Sequence, residues 1–233
     1  MRAIDAIGFV GHRVHILRER EVSTLLRWAG EELRGGRLLD LAGGDGYWAR
    51  HAARLGARAV SLDISMTKSV RGQRYSDPPG LVVGDALRLP FDDGSFDVVI
   101  SVCAIEHFPD GGTALDEVAR VLGPGGQLVM SADALVLGQQ RWPDLMDAHR
   151  RKYAVWHTYD HRSLGAMLEA RGFDIVRSEY QFKGEWAEKL YLRLSSVPLG
   201  WNLAAPLAPI VARRDRRSND EGGSVVLIHA RRR

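Results

Sequence analysis

A glycine-rich turn set between two apolar runs constrains this chain more than any other feature. From Leu38 to Ser65 the sequence reads LLDLAGGDGYWARHAARLGARAVSLDIS: an apolar run, the turn, a helical stretch, a second apolar run and an aspartate. That order describes a βαβ unit whose first turn can hold a nucleotide-like cofactor and whose second strand ends on a carboxylate suited to a ribose. Gly43, Gly44 and Gly46 let the backbone turn sharply and approach a ligand where a β-carbon would stand in the way. Gly44, Gly46 and Ala49 also fit the G-x-G-x-x-A form of a dinucleotide fingerprint, with Asp63 about 20 residues further on. An NAD(P)- or flavin-dependent Rossmann enzyme is therefore one reading.

The carboxylates favour another. Asp40 ends the first strand and Asp45 lies inside the turn, so the loop that would cradle a pyrophosphate carries two negative charges. A cofactor with an ammonium, a sulfonium and a single carboxylate gains from acidic neighbours in a poorly solvated cleft, whereas a pyrophosphate is repelled. S-adenosylmethionine is such a cofactor.

The motifs LLDLAGGDG and VSLDIS resemble motif I and the following acidic strand end of class I S-adenosylmethionine-dependent methyltransferases. LVVGDALRLPFDDGSFDVVISVCAIEHFPD is similar to the third and fourth strand region of the small-molecule branch related to ubiquinone and menaquinone biosynthesis methyltransferases. The resemblance runs well from Arg37 to Ala132 and more loosely beyond. Ala42 and Gly43 stand where many relatives have Gly and Cys, a small-for-small exchange. The fold implied is α/β and Rossmann-like: a doubly wound, seven-stranded sheet, mostly parallel with an antiparallel last strand and helices on both faces.

At 233 residues and 45% hydrophobic, the chain suits a single domain. Within it we expect an N-terminal helical cap (1–34), a cofactor-binding core (37–132) and substrate or lid insertions (134–160 and 184–215). Net charge is +3, and only Lys68, Lys152, Lys183 and Lys189 among the 32 basic residues are lysine. So general an arginine excess, RRDRR at Arg213–Arg217 included, reads as composition and not as a phosphate track, and no nucleic-acid partner is expected. One cysteine and no long apolar N-terminal core fit a cytoplasmic protein, and no paired Cys or His spacing suggests a metal.

Short apolar runs bounded by Gly, Pro or Asp predict strands at Leu38–Leu41, Ala57–Leu62, Leu81–Val83, Phe96–Val102 and Gln127–Ser131. Helical spacing covers Glu19–Leu33, stopped by Gly35 and Gly36, and Ala114–Leu122, ended by GPGG. A late helix stopped by Gly172 and a sixth strand follow, and EGGSVVLIHARRR reads as the last strand. The stretch EWAEKLYLRLSSVPLGWNLAAPLAPIVARR is apolar, yet Pro198, Pro206 and Pro209 interrupt it, and its uncharged run is shorter than the roughly 20 residues a span needs. It reads as a lid or dimer contact burying Trp201 and Ile210, or as a surface meeting a lipophilic substrate or membrane edge.

Asp63 is expected to accept hydrogen bonds from ribose hydroxyls; the bland alternative is a role in capping the helix after Ser65. The resemblance implies that Asp40, Ala42, Gly43, Gly44 and Gly46 form the cofactor turn and that Ile64 and Met66 flank the adenine. It also implies that Asp85 accepts from the adenine amino group, with Ala86 offering its backbone N–H; a plain loop aspartate is the alternative. Cys103, Ala104 and Ile105 should border the methionine arm, since ligands in such sheets lie beyond the strand carboxyl ends. His107 could take a proton from a phenol or alcohol, although the Glu106-His107 pair resembles a family feature shared across substrates. In the family the N-terminal segment and the insertion after the fifth strand close over the substrate, which makes His12, His15, His149, Tyr153, His157, Tyr159 and His161 eligible; His12, Tyr153 and His157 are taken as substrate contacts. The expected reaction is methyl transfer to a small-molecule acceptor, a natural product, quinone or lipid-like compound, on O or C. The alternative is a cyclase or isomerase that binds S-adenosylmethionine without transferring methyl.

Overall fold

A computed structural model describes residues 16–196, 205–218 and 222–233. His12, His15, Pro198 and Trp201 lie outside the described residues. The first helix, α1 (Ile16–Ala29), continues into a 3-10 turn, Gly30–Leu33, and leads to β1 (Arg37–Leu41). Then follow α2 (Tyr47–Arg54), β2 (Arg58–Asp63), α3 (Met66–Gly72), β3 (Gly80–Val83) and β4 (Phe96–Val102). The second half holds α4 (Gly111–Val121), β5 (Leu122–Asp133), α5 (Gly138–Arg141), α6 (Pro143–Tyr153), α7 (His161–Glu169), β6 (Phe173–Lys183), α8 (Gly184–Ser196), α9 (Ala208–Arg217) and β7 (Gly223–Arg232).

The strands form one seven-stranded sheet in the order β3-β2-β1-β4-β5-β7-β6, with β7 antiparallel to both β5 and β6. Parallel pairing sets Asp40 of β1 opposite Ser61 of β2 and Ile100 of β4. Successive side chains along the central strands point to opposite faces yet are buried in near-continuous runs, because the sheet is covered on both faces. Leu39, Val99, Leu128 and Ile228 pack on one face against α4 and α7 (Leu115, Val118, Leu164, Leu168). Leu38, Val98, Val129 and Leu227 pack on the other against α1, α2 and α8, through Leu25, Leu26, Trp48, Tyr191 and Leu192. Each such fully buried side chain contributes about 1.5–3 kcal/mol.

The helix starts follow their local chemistry. Asp110 accepts from the Thr113 N–H at 3.0 Å to cap α4, and Asp160 and Ser163 close a reciprocal capping box on α7. Helix α4 ends at Val121, just before GPGG as expected, but GPGG does not form a separate turn. Instead β5 begins at Leu122, pairs with Phe96, and takes up Gly123–Gly126 as a register shift before pairing resumes at Gln127 with Val98.

The proline-rich stretch becomes α8 and α9 wherever it is described. Ala187, Tyr191 and Leu192 of α8 are buried against the sheet, whereas Trp186 and Ile210 are exposed, Ile210 contrary to the expected burial. Among the described residues no helix is long and apolar enough to cross a membrane. A buried carboxylate fixes α9: Asp215 accepts from Arg20 of α1 at 2.7 Å and from the backbone N–H groups of Phe182 and Lys183, at the end of β6, each at 2.9 Å.

Candidate cofactor site

The strand order reverses between β1 and β4, and in open α/β sheets ligands bind outside the carboxyl ends of the strands at such a switch point. Four of the five described non-glycine residues with positive φ stand at strand carboxyl ends: Ala42 after β1 (57°), Cys103 after β4 (44°), Leu135 after β5 (49°) and Phe182 in β6 (56°). Backbone in this region is strained for a residue with a β-carbon and gathers at functional rims.

The turn after β1 is built to bring backbone close. Gly44 (66°) and Gly46 (77°) adopt left-handed conformations, and Gly46 caps α2. A methyl on Gly43 would overlap the Asp40 carboxylate and the Ser61 hydroxyl. Asp40 lies beneath the turn, 1% exposed, accepting from the Ala49 N–H at 3.1 Å in the first turn of α2; burial raises its pKa to about 7.

Asp45 differs from the sequence expectation of an acid-lined bend. It is fully buried and turned inward, where its carboxylate accepts from Arg71 of α3 at 2.9 Å. Its charge is matched inside the protein and does not face the crevice.

Asp63, at the end of β2, holds the turn from the other side. One oxygen accepts from the Gly44 N–H at 2.9 Å, with Lys68 Nζ at 3.4 Å, and the other accepts from the Ser65 N–H at 2.9 Å. Ser65 in turn caps α3 by accepting from the Lys68 N–H. The helix-start role and a place in the crevice wall thus coexist in one buried carboxylate, which offers about four lone-pair sites.

Asp63, Ala42, Ile64, Asp85, Ala86, Cys103 and His107 all line one crevice of about 440 Å³, together with Leu62, Lys68, Ala104 and Phe108. That volume suits a small-molecule site. Ile64 is 73% exposed, an apolar side chain held out at the rim; Met66, 61% exposed, is outside the lining. Asp85 accepts from the Leu87 N–H at 2.9 Å with one oxygen, a loop role, while the residue as a whole still borders the crevice. Larger grooves of about 520 and 820 Å³ flank α9, open and lined by charged side chains such as Arg20, Arg216, Lys189 and Arg214.

Cys103 donates its N–H to the Ser131 carbonyl at 3.1 Å, and its sulfur lies 3.2 Å from Glu21 Oε1; desolvation pushes the thiol pKa up, which disfavours the thiolate. His107 is exposed at the rim, with Nδ1 3.3 Å from the Ala154 carbonyl, to which it can donate, and Nε2 making no hydrogen bond to the described residues. Tyr153 and His157 do not line the crevice. The Tyr153 hydroxyl donates to the Ser195 carbonyl at 3.1 Å, and His157 is exposed, its backbone N–H donating to the Glu106 carbonyl at 3.3 Å.

The structure also gathers a buried polar group that sequence reasoning missed: Glu106, Asp133, His149, Tyr191 and Ser195, from four separate elements beside Cys103. The available signals were an acid directly after β4 and an acid closing the apolar run of β5.

Residues 39–130 match the family model described as a methyltransferase domain. The malonyl-[acyl-carrier protein] O-methyltransferase of Erwinia billingiae is 31% identical over 185 residues, covering 72% of this chain and 74% of that protein. The demethylmenaquinone methyltransferase of Beutenbergia cavernae is 40% identical over 97 residues, covering 42% of this chain and 40% of that protein. Among solved structures, an S-adenosylmethionine dependent methyltransferase from Mesorhizobium loti superposes with a TM-score of 0.62 at 20% identity, covering 89% of this chain and 95% of that one. The last likeness is one of fold.

Proposed function

Because this chain belongs to the S-adenosylmethionine-dependent methyltransferases, we propose that it methylates a small, largely apolar acceptor on O or C, and that the crevice at the carboxyl ends of β1–β4 holds the donor. The observation that carries this reading is the crevice itself: a ribose-suited carboxylate, Asp63, beside an outward apolar side chain, Ile64, and a glycine turn that permits close backbone approach.

Asp63 would hold the ribose, with Ile64 and Met66 against the adenine and Asp85 and the Ala86 N–H at its edge. Ala42, Gly43, Gly44 and Gly46, braced from below by Asp40, would pass along the methionine arm towards Cys103. When bound, S-adenosylmethionine supplies a methyl group already activated by a sulfonium. The chain's own task is then to hold a nucleophile in line and exclude water. His107 at the rim, with Nδ1 towards the Ala154 carbonyl and Nε2 left for a partner, is the candidate proton acceptor named by the sequence.

The names of the relatives support an acyl- or quinone-like acceptor. The free, partly buried thiol of Cys103 suits a reducing, cytoplasmic location, and the exposed Trp186 and Ile210 support peripheral contact with a lipophilic acceptor. His12 remains a proposed substrate contact, as do Tyr153 and His157 beside the buried polar group.

The test is calorimetry with S-adenosylhomocysteine and with NAD, followed by incubation with methyl-labelled S-adenosylmethionine and candidate acceptors. Tight binding of S-adenosylhomocysteine alone and label in the product are expected. NAD binding without it would refute the donor assignment, and an altered acceptor carrying no label would favour a cyclase or isomerase.

A further inference from the structure

The fold sorts the charges of the arginine-rich stretch. The sequence from Lys183 to Arg217 holds seven basic and three acidic residues, an excess of four in a chain whose net charge is only +3. The three acids are each taken out of play. Asp215 is buried and shared by Arg20 and two backbone N–H groups, Glu188 is buried and accepts from the Gly138 N–H, and Glu185 pairs with Arg141. What faces solvent is therefore the basic side.

Helix α9 gives that excess a direction. Val211 and Asp215, one turn apart, are its buried side. Ile210, Arg213, Arg214 and Arg217 recur at i, i+3, i+4 and i+7 and so share the outward side, where all four are exposed. Like charges at i and i+4, as in Arg213 and Arg217, repel one another. No arginine of this side forms an ion pair among the described residues; Arg214 lies instead over the Trp186 ring of α8, 5.0 Å from its centre. Trp186 is 43% and Ile210 50% exposed, apolar groups held in water among cations. The open grooves on either side extend the charge through Arg27, Lys183 and Arg216 on one and Lys189 on the other, against Glu179 and the already paired Glu185.

We propose that this side of α9, together with Trp186, docks on an anionic lipid bilayer. Headgroup phosphates spread over a plane answer the arginines on every side of the helix, while Ile210 and the indole enter the boundary between headgroups and acyl chains. A nucleic-acid backbone answers only the arginines, and a convex ridge between open grooves gives an acidic polypeptide no pocket in which to anchor a side chain. Strand β6 runs parallel to β1–β5, so Lys183 at its end shares the sheet edge that carries the crevice, three strand spacings or about 14 Å from β4. Docking at α9 thus holds the crevice beside the bilayer without covering it, whatever the crevice binds.

The full chain should be sedimented with vesicles of phosphatidylcholine alone and of phosphatidylcholine mixed with phosphatidylglycerol, at low and high salt, with heparin and polyglutamate titrated separately as soluble polyanions. Binding to the anionic vesicles only, weakened by salt, is expected. Arg213→Gln with Arg217→Gln should weaken it about 25-fold, since each basic residue near such a surface contributes about 1 kcal/mol, or about fivefold. Arg74→Gln with Arg162→Gln removes the same charge from exposed positions on other elements and should change it by less than about twofold. Ile210→Ser should weaken vesicle binding about fivefold and leave heparin binding unchanged. All the substituted side chains are exposed, melting curves check that each variant folds, and Ile210→Ser and the Arg213/Arg217 pair each carry the test alone. Absence of vesicle binding, equal binding to neutral vesicles, or an equal loss in the Arg74/Arg162 pair overturns the proposal. Vesicle binding that Ile210→Ser leaves intact, or tighter binding of heparin or polyglutamate, assigns the face to a nucleic acid or an acidic polypeptide and overturns the membrane assignment.

Discussion

Replacing Asp63 with alanine should cost both cofactor affinity and stability, because the ligand-facing and helix-start roles offered as alternatives by the sequence meet in one carboxylate. The carboxylate receives the Gly44 and Ser65 N–H groups, each at 2.9 Å, and is itself buried. Hydrogen bonds to a charged group are worth about 1.5–3 kcal/mol each; with water entering from the crevice to replace part of that, Asp63→Ala should lower stability by about 2–4 kcal/mol. Loss of the ribose contacts should weaken S-adenosylhomocysteine binding by roughly 10- to 100-fold. Lys68→Ala is the control: its ion pair with Asp63 is long, at 3.4 Å, and its side chain is half exposed, so about 0.5 kcal/mol or less is expected. Guanidinium unfolding and calorimetry read the two effects separately. A stability loss below about 1 kcal/mol would refute the strut role, and unchanged affinity in a folded variant would remove Asp63 from the ribose.

Gly43→Ala places a methyl on the Asp40 carboxylate and Ser61 hydroxyl, and should cost about 1–3 kcal/mol in thermal melts and weaken cofactor binding. His149→Leu leaves Asp133 Oδ2 buried without its hydrogen-bond partner and should destabilise by about 1–3 kcal/mol, part of which Asp133→Leu in the same chain should restore. Burial raises Asp40 and Glu188 to about 7 and Glu106 to about 8, so the folded protein keeps protons that the unfolded chain has released above its ordinary range of 3.8 to 4.5. Stability should therefore fall as pH rises from that range through about 8, most visibly in the melting temperature, and Asp40→Asn should flatten the decline. On the acid side, Asp97 and Glu117, held low by hydrogen bonds from Arg37 and Arg120, should make stability fall as they protonate.

The sheet was legible because its parallel strands are buried on both faces and so appear as short, mostly apolar runs between turn residues, as in Leu38–Leu41 and Phe96–Val102, broken only at Asp40, Asp97 and Ser101. Crevice residues were legible where position along a strand decides them: Asp63, Asp85 and Cys103 each follow the last apolar residues of a strand. Asp45 was misjudged because its partner, Arg71, is a full βα unit away, and a turn sequence carries no record of which way a carboxylate points. Glu106, Asp133, His149 and Tyr191 stayed unconnected for the same reason. Their meeting depends on α6 and α8 packing over the end of β5, a tertiary arrangement without local periodicity.

Asp215 shows what such distant meetings do mechanically. Its dry carboxylate is shared by α1, α9 and the tip of β6, so parting from any of the three strands an anion where water has little access. The penalty arrives abruptly instead of growing with displacement. Helix α1, which also carries Arg18 and Glu21 towards Cys103, is thereby clamped to the same rigid frame as the sheet, and the chemistry beneath it inherits that stiffness.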